Sequence, residues 1–320
     1  MKALIFQGSG KKALEERPKP TIAEPTDAIV KITKTTICGT DLHILKGDVP
    51  TCQPGRVLGH EGIGFIEAVG PGVVTFKPGE RVLISCISAC GKCEYCRKGM
   101  YSHCVNGGWI LGNTIDGTQA EHVRIPYADT SLYRVADDAD EDALVMLSDI
   151  LPTGFECGVL NGKIQPGATV AIVGAEPVGL AALLTAQFFS PSDITMVDVD
   201  DNRLAVSKRF GATATVSSSD GKAAEAVMQL TAGRGVDTAI EAVGIPATFG
   251  ALRKYSCTRG NHCQHRRARI ESGPPFRATL VTQHNHYHPI GGYFQHAHAA
   301  QDGPVSEGQS QASGYSPFSA

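Results

Sequence analysis

The chain has 320 residues, a formal net charge of −3, 42% hydrophobic residues and 36 glycines. That length suits two domains with ample core, and the near-neutral charge leaves no basic footprint for nucleic acid. No apolar run approaches the ~20 residues a membrane span needs, so neither nucleic acid nor membrane is an expected partner.

Met1-Lys2-Ala3-Leu4-Ile5-Phe6 reads as a strand rather than a leader, which predicts a cytosolic chain. Ten cysteines in a long cytosolic chain read better as metal ligands than as disulfides. Residues 1–85 are β-rich, with short runs such as Ala28-Ile-Val-Lys-Ile32 and Arg81-Val-Leu-Ile84 broken by Gly and Pro about every ten residues. Within them, Leu58-Gly59-His60-Glu61-Gly62 offers two potential metal ligands on a backbone free to bend. With Cys38 upstream and an acidic residue much further on, thiolate, imidazole and carboxylate would make a zinc set with one position open. Taken singly, Cys38 also reads as a core thiol, Thr40 as a strand-end hydroxyl and His43 as a solvated turn histidine.

Cys90-Gly-Lys-Cys93-Glu-Tyr-Cys96, followed by Cys104, is the sharpest metal signal. Four thiolates at this spacing predict a tetrahedral zinc site that holds together a lobe, about residues 86–106, with almost no apolar content. Four cysteines leave no position for substrate, so this zinc is expected to be structural; free thiols or a redox pair are the competing readings.

After Asp149-Ile-Leu-Pro152-Thr153-Gly154 the pattern changes. Ala168-Thr-Val-Ala-Ile-Val-Gly174 reads as a buried parallel strand, Gly179 to Gln187 as an apolar helix and Ile194-Thr-Met-Val-Asp198 as a second strand. This is a βαβ unit, with Asp198 nineteen residues past Gly179. Asp198 is placed to hydrogen-bond a ribose 2′-hydroxyl, which favours NAD over NADP; a turn or helix-capping role is the alternative. Gly174, Glu176, Val178 and Gly179, with Asp198 and Arg203 beyond the second strand, are the candidate cofactor contacts. Glu176 stands where the dinucleotide-binding pattern wants a glycine that lets the backbone approach the pyrophosphate. At an effective dielectric of ~20 and ~4 Å, repulsion between that carboxylate and a phosphate is roughly 4 kcal/mol before screening, so weakened NAD binding is expected. Gly to Glu is a single-base change.

Cys38-Gly-Thr40-Asp41-Leu-His43, Gly59-His60-Glu61 through Gly64 and Gly70, the four-Cys lobe and the βαβ unit occur in one order. Together they resemble the zinc-dependent alcohol dehydrogenases of the medium-chain dehydrogenase/reductase superfamily, over about residues 1–249. The resemblance implies an α/β architecture: a β-rich GroES-like zinc catalytic domain over residues 1–152 and a Rossmann-type parallel-sheet domain over 153–249. It implies that Cys38, His60 and Asp149 bind the catalytic zinc, with Glu61 behind them and able to swing in. It further implies that Thr40 hydrogen-bonds the substrate oxygen and that His43 ends a proton relay through the cofactor ribose. Cys90, Cys93, Cys96 and Cys104 match its structural zinc. The implied reaction is hydride transfer between a small primary or secondary alcohol, or its aldehyde or ketone, and NAD, with an alkoxide forming at zinc. A polyol, threonine or formaldehyde dehydrogenase and an inactive zinc-binding remnant are the alternatives; a zinc-free quinone reductase would not need Cys38, His60 and the lobe. Trp109 is a plausible wall of the substrate pocket.

From Gly250 the chain changes character. Seven of its eleven histidines fall between His262 and His298, and residues 259–269 have neither helical nor strand periodicity. A His-rich metal tract or a disordered tail would fit. Reading back-translated codons one nucleotide later favours a third explanation: residues 257–269 then permit A-P-G-G-T-I-V-N-I-G-V-H-G, a turn followed by a strand. A one-base frameshift near Phe249–Gly250 is therefore expected, leaving 250–320 aberrant and disordered, with Ile240-Glu-Ala-Val-Gly244 as the last authentic strand. The dinucleotide domain would then be incomplete, and a dimer edge of this homo-oligomeric family missing.

Overall fold

A computed structural model describes residues 1–245, 247, 248 and 252, together with the backbone of a strand at Arg277–Leu280. A hairpin of β1 (Lys2–Phe6) and β2 (Lys12–Glu16) leads into an antiparallel sheet ordered β6-β3-β4-β5-β7. Its strands are β3 (Ala28–Thr35), β4 (Gly62–Val69), β5 (Arg81–Ile84), β6 (His122–Ile125) and β7 (Leu132–Arg134). Val30, Ile66, Val82, Ile84, Val123 and Ile125 meet in its core, so the β-rich pattern of the first half is borne out as a sheet closed over one apolar face.

Short helices interrupt this half: α1 (Gly39–Lys46), α2 (Glu94–Arg97), α3 (Ala128–Ser131) and α4 (Glu141–Leu144). Next come α5 (Ile150–Thr153) and, directly after it, a π-helical segment, Gly154–Leu160.

The second half is a parallel sheet ordered β10-β9-β8-β11-β12. Its strands are β8 (Thr169–Val173), β9 (Asp193–Asp198), β10 (Ala214–Ser217), β11 (Thr238–Glu241) and β12 (Arg277–Leu280). Helices α6 (Pro177–Ala186), α7 (Asp201–Arg209) and α8 (Ala223–Leu230) connect them. Strand β8 reads as an unbroken apolar run because both its faces are covered. Val170 and Ile172 pack with Ala182, Leu183, Ile194 and Met196, while Ala171 and Val173 face Val197, Val227, Ala239 and Leu252. The strand order reverses at β8, with β9 on one side and β11 on the other, which opens a crevice at the carboxyl ends of β8 and β11.

Strand β12 pairs in parallel with β11, Thr238 opposite Arg277 through Glu241 opposite Leu280. Here the structure differs from the sequence expectation that β11 ends the sheet: the free edge of β11 offers unpaired N–H and C=O groups, and a short Arg-Ala-Thr-Leu run takes them. The remaining expectations for residues 250–320 lie outside the described residues.

Glu241 ends β11 with no exposed surface. Its carboxylate accepts from the Val243 and Gly244 N–H groups at 3.0 and 3.1 Å and from Thr248 Oγ1 at 2.7 Å. Burial holds its pKa above the usual 4.5, with those hydrogen bonds pulling the other way. A carboxyl raised in the fold keeps its proton while the unfolded chain has lost its own, so the native state binds more protons and stability falls as pH rises from about 4.5. Gln at 241 does not titrate. The melting temperature of the wild type minus that of Glu241→Gln should therefore shrink as pH rises from 4.5 to 8; a difference that widens would contradict this.

Candidate metal centre and cofactor cradle

Three separate elements deliver the metal donors. Cys38 is the N-cap of α1, fixed by its own N–H donating to Asp41 Oδ2 at 2.8 Å; Gln119 Nε2 donates to the same oxygen at 3.0 Å. The cap places the sulfur at the positive end of the helix dipole. His60 lies in the approach to β4 behind Gly59, whose φ is +93°. A Cβ at Gly59 would stand 2.6 Å from Gln119 Cγ and 2.8 Å from Gln119 N, so only glycine lets the loop turn His60 inward. Asp149 is the N-cap of α5.

Cys38, His60 and Asp149 are 5%, 1% and 1% exposed, and one donor atom from each lies within 4.8 Å of the other two. His60 Nε2 is 3.1 Å from Asp149 Oδ2, and Cys38 Sγ is 3.9 Å from that oxygen. Thiolate, imidazole and one carboxylate oxygen in a buried cluster fit zinc with a position left for substrate. Burial opposes a charged His60, but hydrogen bonds with Asp149 and Cys38 outweigh it and hold its pKa well above 6.5. A cation is thus what this cluster attracts, and a metal would compete with that proton.

Glu61 is buried beside them. Its Oε2 accepts from the Thr36 hydroxyl, while Oε1 has no hydrogen-bond partner. Burial, then the charge of Asp149, raises its carboxyl to about 7. Thr40 Oγ1 is 3.8 Å from Cys38 Sγ. Trp109 stands edge-on to His60 with ring centroids 6.1 Å apart, beside the metal cluster. His43 lies on α1 with Thr40, its Nδ1 2.9 Å from Asp48 Oδ2. Two neighbours of Asp149 are absent from the sequence reading: Thr153 Oγ1 donates to its Oδ1 at 2.7 Å and Cys86 Sγ does so at 3.5 Å. The four-residue step from Asp149 to Thr153 at a helix start was the available signal for the first. Cys86 lies outside any paired-cysteine spacing.

Cys90, Cys93, Cys96 and Cys104 also bring their sulfurs within 4.8 Å of one another. The Cys90 N–H donates to Cys104 Sγ at 3.2 Å, the Cys96 N–H to Cys93 Sγ at 3.5 Å and Asn106 Nδ2 to Cys90 Sγ at 3.4 Å. Against the cost of burial, the Asn106 amide and nearby N–H groups pull the Cys90 thiol down to about 6; burial pushes Cys96 up to about 12. Four sulfurs ringed by donors fit a tetrahedral thiolate metal site.

In the crevice, the turn Gly174–Gly179 joins β8 to α6. Gly174 has φ +101°, and a Cβ on Gly179 would meet Gly174 O at 1.8 Å, so helix and turn approach as closely as backbone allows. Val178 is buried at the start of α6. Asp198 Oδ2 accepts from the Ala175 N–H at 2.7 Å and Oδ1 from the Asp200 N–H at 2.9 Å, so the carboxylate ties β9 to the turn. Glu176 caps α6, and its carboxylate is not a bare charge: Arg203 Nη2 lies 2.8 Å from Glu176 Oε1, and Arg203 Nη1 lies 3.7 Å from Asp198 Oδ1. That pair reduces the repulsion expected from Glu176 without removing its side chain from the cradle.

Among the described residues no single helix is long and apolar enough to cross a membrane. Family models match two stretches: the alcohol dehydrogenase GroES-like domain over residues 24–137 and the zinc-binding dehydrogenase domain over 177–261. An alcohol dehydrogenase from Cupriavidus necator is 38% identical over 270 residues, covering 78% of this chain and 72% of the relative. The structure is similar to that of a zinc-dependent alcohol dehydrogenase from Streptococcus pneumonia, with TM-score 0.77 and 59% identity over 80% of this chain and 73% of that one. Alcohol dehydrogenase TADH from Thermus sp. ATN1 gives TM-score 0.74 and 34% identity, covering 80% of this chain and 74% of the other. With both domain models in order and relatives matched over more than two thirds of their length, the chain belongs to the zinc-dependent alcohol dehydrogenase family of the medium-chain dehydrogenases.

Proposed function

We propose that the chain transfers a hydride between a small primary or secondary alcohol, or the matching aldehyde or ketone, and NAD. The observation that carries this reading is the convergence of Cys38, His60 and Asp149 on one buried point beside the Thr40 hydroxyl. These three residues would hold a zinc ion, which supplies a Lewis acid that lowers the pKa of an alcohol oxygen toward neutrality. Gly174, Glu176, Val178, Gly179, Asp198 and Arg203 would hold NAD, which carries the hydride.

The chain's own side chains manage orientation and the proton. Asp41 and Gln119 hold the α1 cap, so Cys38 and Thr40 keep a fixed relation. Thr40 Oγ1, 1% exposed, accepts the hydrogen bond of the substrate hydroxyl and hands on its own proton as the alkoxide forms, before the hydride leaves. His43 delivers it to solvent: Asp48 on Nδ1 selects the tautomer in which Nε2 accepts. Trp109 excludes water beside His60. Glu61 stands in reserve, with one carboxylate oxygen not hydrogen-bonded. Cys90, Cys93, Cys96 and Cys104 would hold a second, structural zinc.

The reading is tested by NADH formation from a panel of simple alcohols, and NADH oxidation with the matching carbonyls, by the zinc-loaded chain. No reaction in either direction would sink it. Glu176→Gly is expected to tighten NAD binding about tenfold, roughly 1.4 kcal/mol, a fraction of the roughly 4 kcal/mol unscreened Coulomb term because Arg203 and solvent offset part of it. Unchanged affinity in a calorimetric titration would show that the pair already screens Glu176 fully.

A further inference from the structure

Asp149 turns its two carboxylate oxygens to different neighbours. Oδ2 faces His60 Nε2 at 3.1 Å and Cys38 Sγ at 3.9 Å. Oδ1 accepts from Thr153 Oγ1 at 2.7 Å and Cys86 Sγ at 3.5 Å. Both donors are tied by backbone to the segment they serve. The Thr153 N–H donates to the Asp149 carbonyl at 2.8 Å, and the Cys86 N–H donates to the Ser148 carbonyl at 3.1 Å. These main-chain bonds keep the backbone of both donors beside Asp149, leaving only a χ1 rotation to separate either donor from Oδ1.

Asp149, Thr153 and Cys86 all line a cavity of about 630 Å³, although the Asp149 side chain is itself only 2% exposed. The Cβ–Cγ torsion of a carboxylate is soft, so hydrogen bonds decide which oxygen faces which neighbour. Free rotation would bring Oδ1 round to the metal point as well, and a two-oxygen Asp would fill the coordination position that substrate needs.

We infer that Thr153 and Cys86 are positioning residues for the metal centre: by occupying Oδ1 they make Asp149 a one-oxygen ligand presented through Oδ2. The inference rests on the reading of Cys38, His60 and Asp149 as a zinc site. Thr153 supplies the larger share, because a hydroxyl is a stronger donor than a thiol and sits closer. Loss of such an outer partner costs metal affinity by roughly 10- to 100-fold.

The test is zinc competition against a chromophoric chelator on the full chain, comparing wild type, Thr153→Val, Thr153→Ser and Cys86→Ala. The wild type should show two zinc sites. Thr153→Val should weaken one of them by about 10- to 100-fold and leave the four-cysteine site unchanged. Thr153→Ser should restore it, and Cys86→Ala should cause a smaller loss at the same site. Two zincs held by Thr153→Val as tightly as by wild type would overturn the inference alone, as would equal weakening at both sites, which marks a general loss of structure. Wild-type zinc confined to the four-cysteine lobe would overturn the metal-site reading and this inference with it.

Discussion

His60→Ala should lower alcohol-dependent NAD reduction by a factor on the order of 10³ or more and leave one zinc per chain where the wild type holds two. His60 is 1% exposed and supplies the only nitrogen of the buried donor set formed with Cys38 and Asp149. Removing it leaves a thiol and a carboxylate, too few ligands to hold zinc against a modest chelator. The fold should persist, because the sheet core around Val30, Val82 and Ile125 does not include His60. Far-UV circular dichroism checks the fold, and metal analysis with the rate checks the site. A variant that keeps both zincs and its turnover would remove His60 from the mechanism.

Cys96→Ser should have the larger effect on structure. The lobe's apolar cluster consists of Ala89, Cys96 and Cys104 with Cys90 and Cys93 packed against it, so its core is its own ligand set. Structural zinc in such sites contributes an apparent ~10–16 kcal/mol at neutral pH, far more than the few buried methyl groups could replace. The variant should lose one zinc and expose residues 86–106 to proteolysis and rapid amide exchange, while the parallel sheet keeps its protection. Full protection across 86–106 in Cys96→Ser would show that zinc does not organise the lobe. Because metal displaces thiol protons and burial pushes Cys96 up to about 12, zinc affinity of the wild-type lobe in a chelator competition should weaken steadily as pH falls. The loss should steepen below about 6, where Cys90 also takes up its proton; affinity independent of pH would contradict this.

Parts of the molecule that depend on local spacing were legible in the sequence. Three of the lobe's cysteines, Cys90, Cys93 and Cys96, sit three residues apart with Cys104 eight further on, and the structure gathers all four sulfurs. The run Thr169–Val173 told of a strand buried on both faces, and alternate residues do pack against opposite cores. Asp149 as the acidic partner of Cys38 and His60 was legible only through resemblance to a family, since the ligands come from three elements and His60 and Asp149 are 89 residues apart. Arg203 could be named as a cofactor contact, but not as the partner of Glu176; that pair exists because β9 and α7 fold back against the turn. Thr153 and Cys86 share the same difficulty, as roles set by which carboxylate oxygen they face. Strand β12 lies in a short alternating run, Phe276-Arg-Ala-Thr-Leu280, inside a stretch read as aberrant, and its pairing is to the open edge of β11.

The aberrant composition after Phe249 remains best explained, in our proposal, by a one-base shift of reading frame. The nucleotide sequence of the gene decides that point: stop codons interrupting the shifted frame would sink it. Every proposed metal ligand lies upstream of Gly250, so the zinc chemistry and the tail can be judged separately.

The central claim is a zinc enzyme with a catalytic and a structural metal, and zinc stoichiometry of the purified wild-type chain tests it most directly. Two zincs per chain is the expected result, one released more readily to chelator together with activity. A chain that carries no zinc, or that keeps a single zinc whatever happens at Cys38, His60 or Asp149, would contradict it.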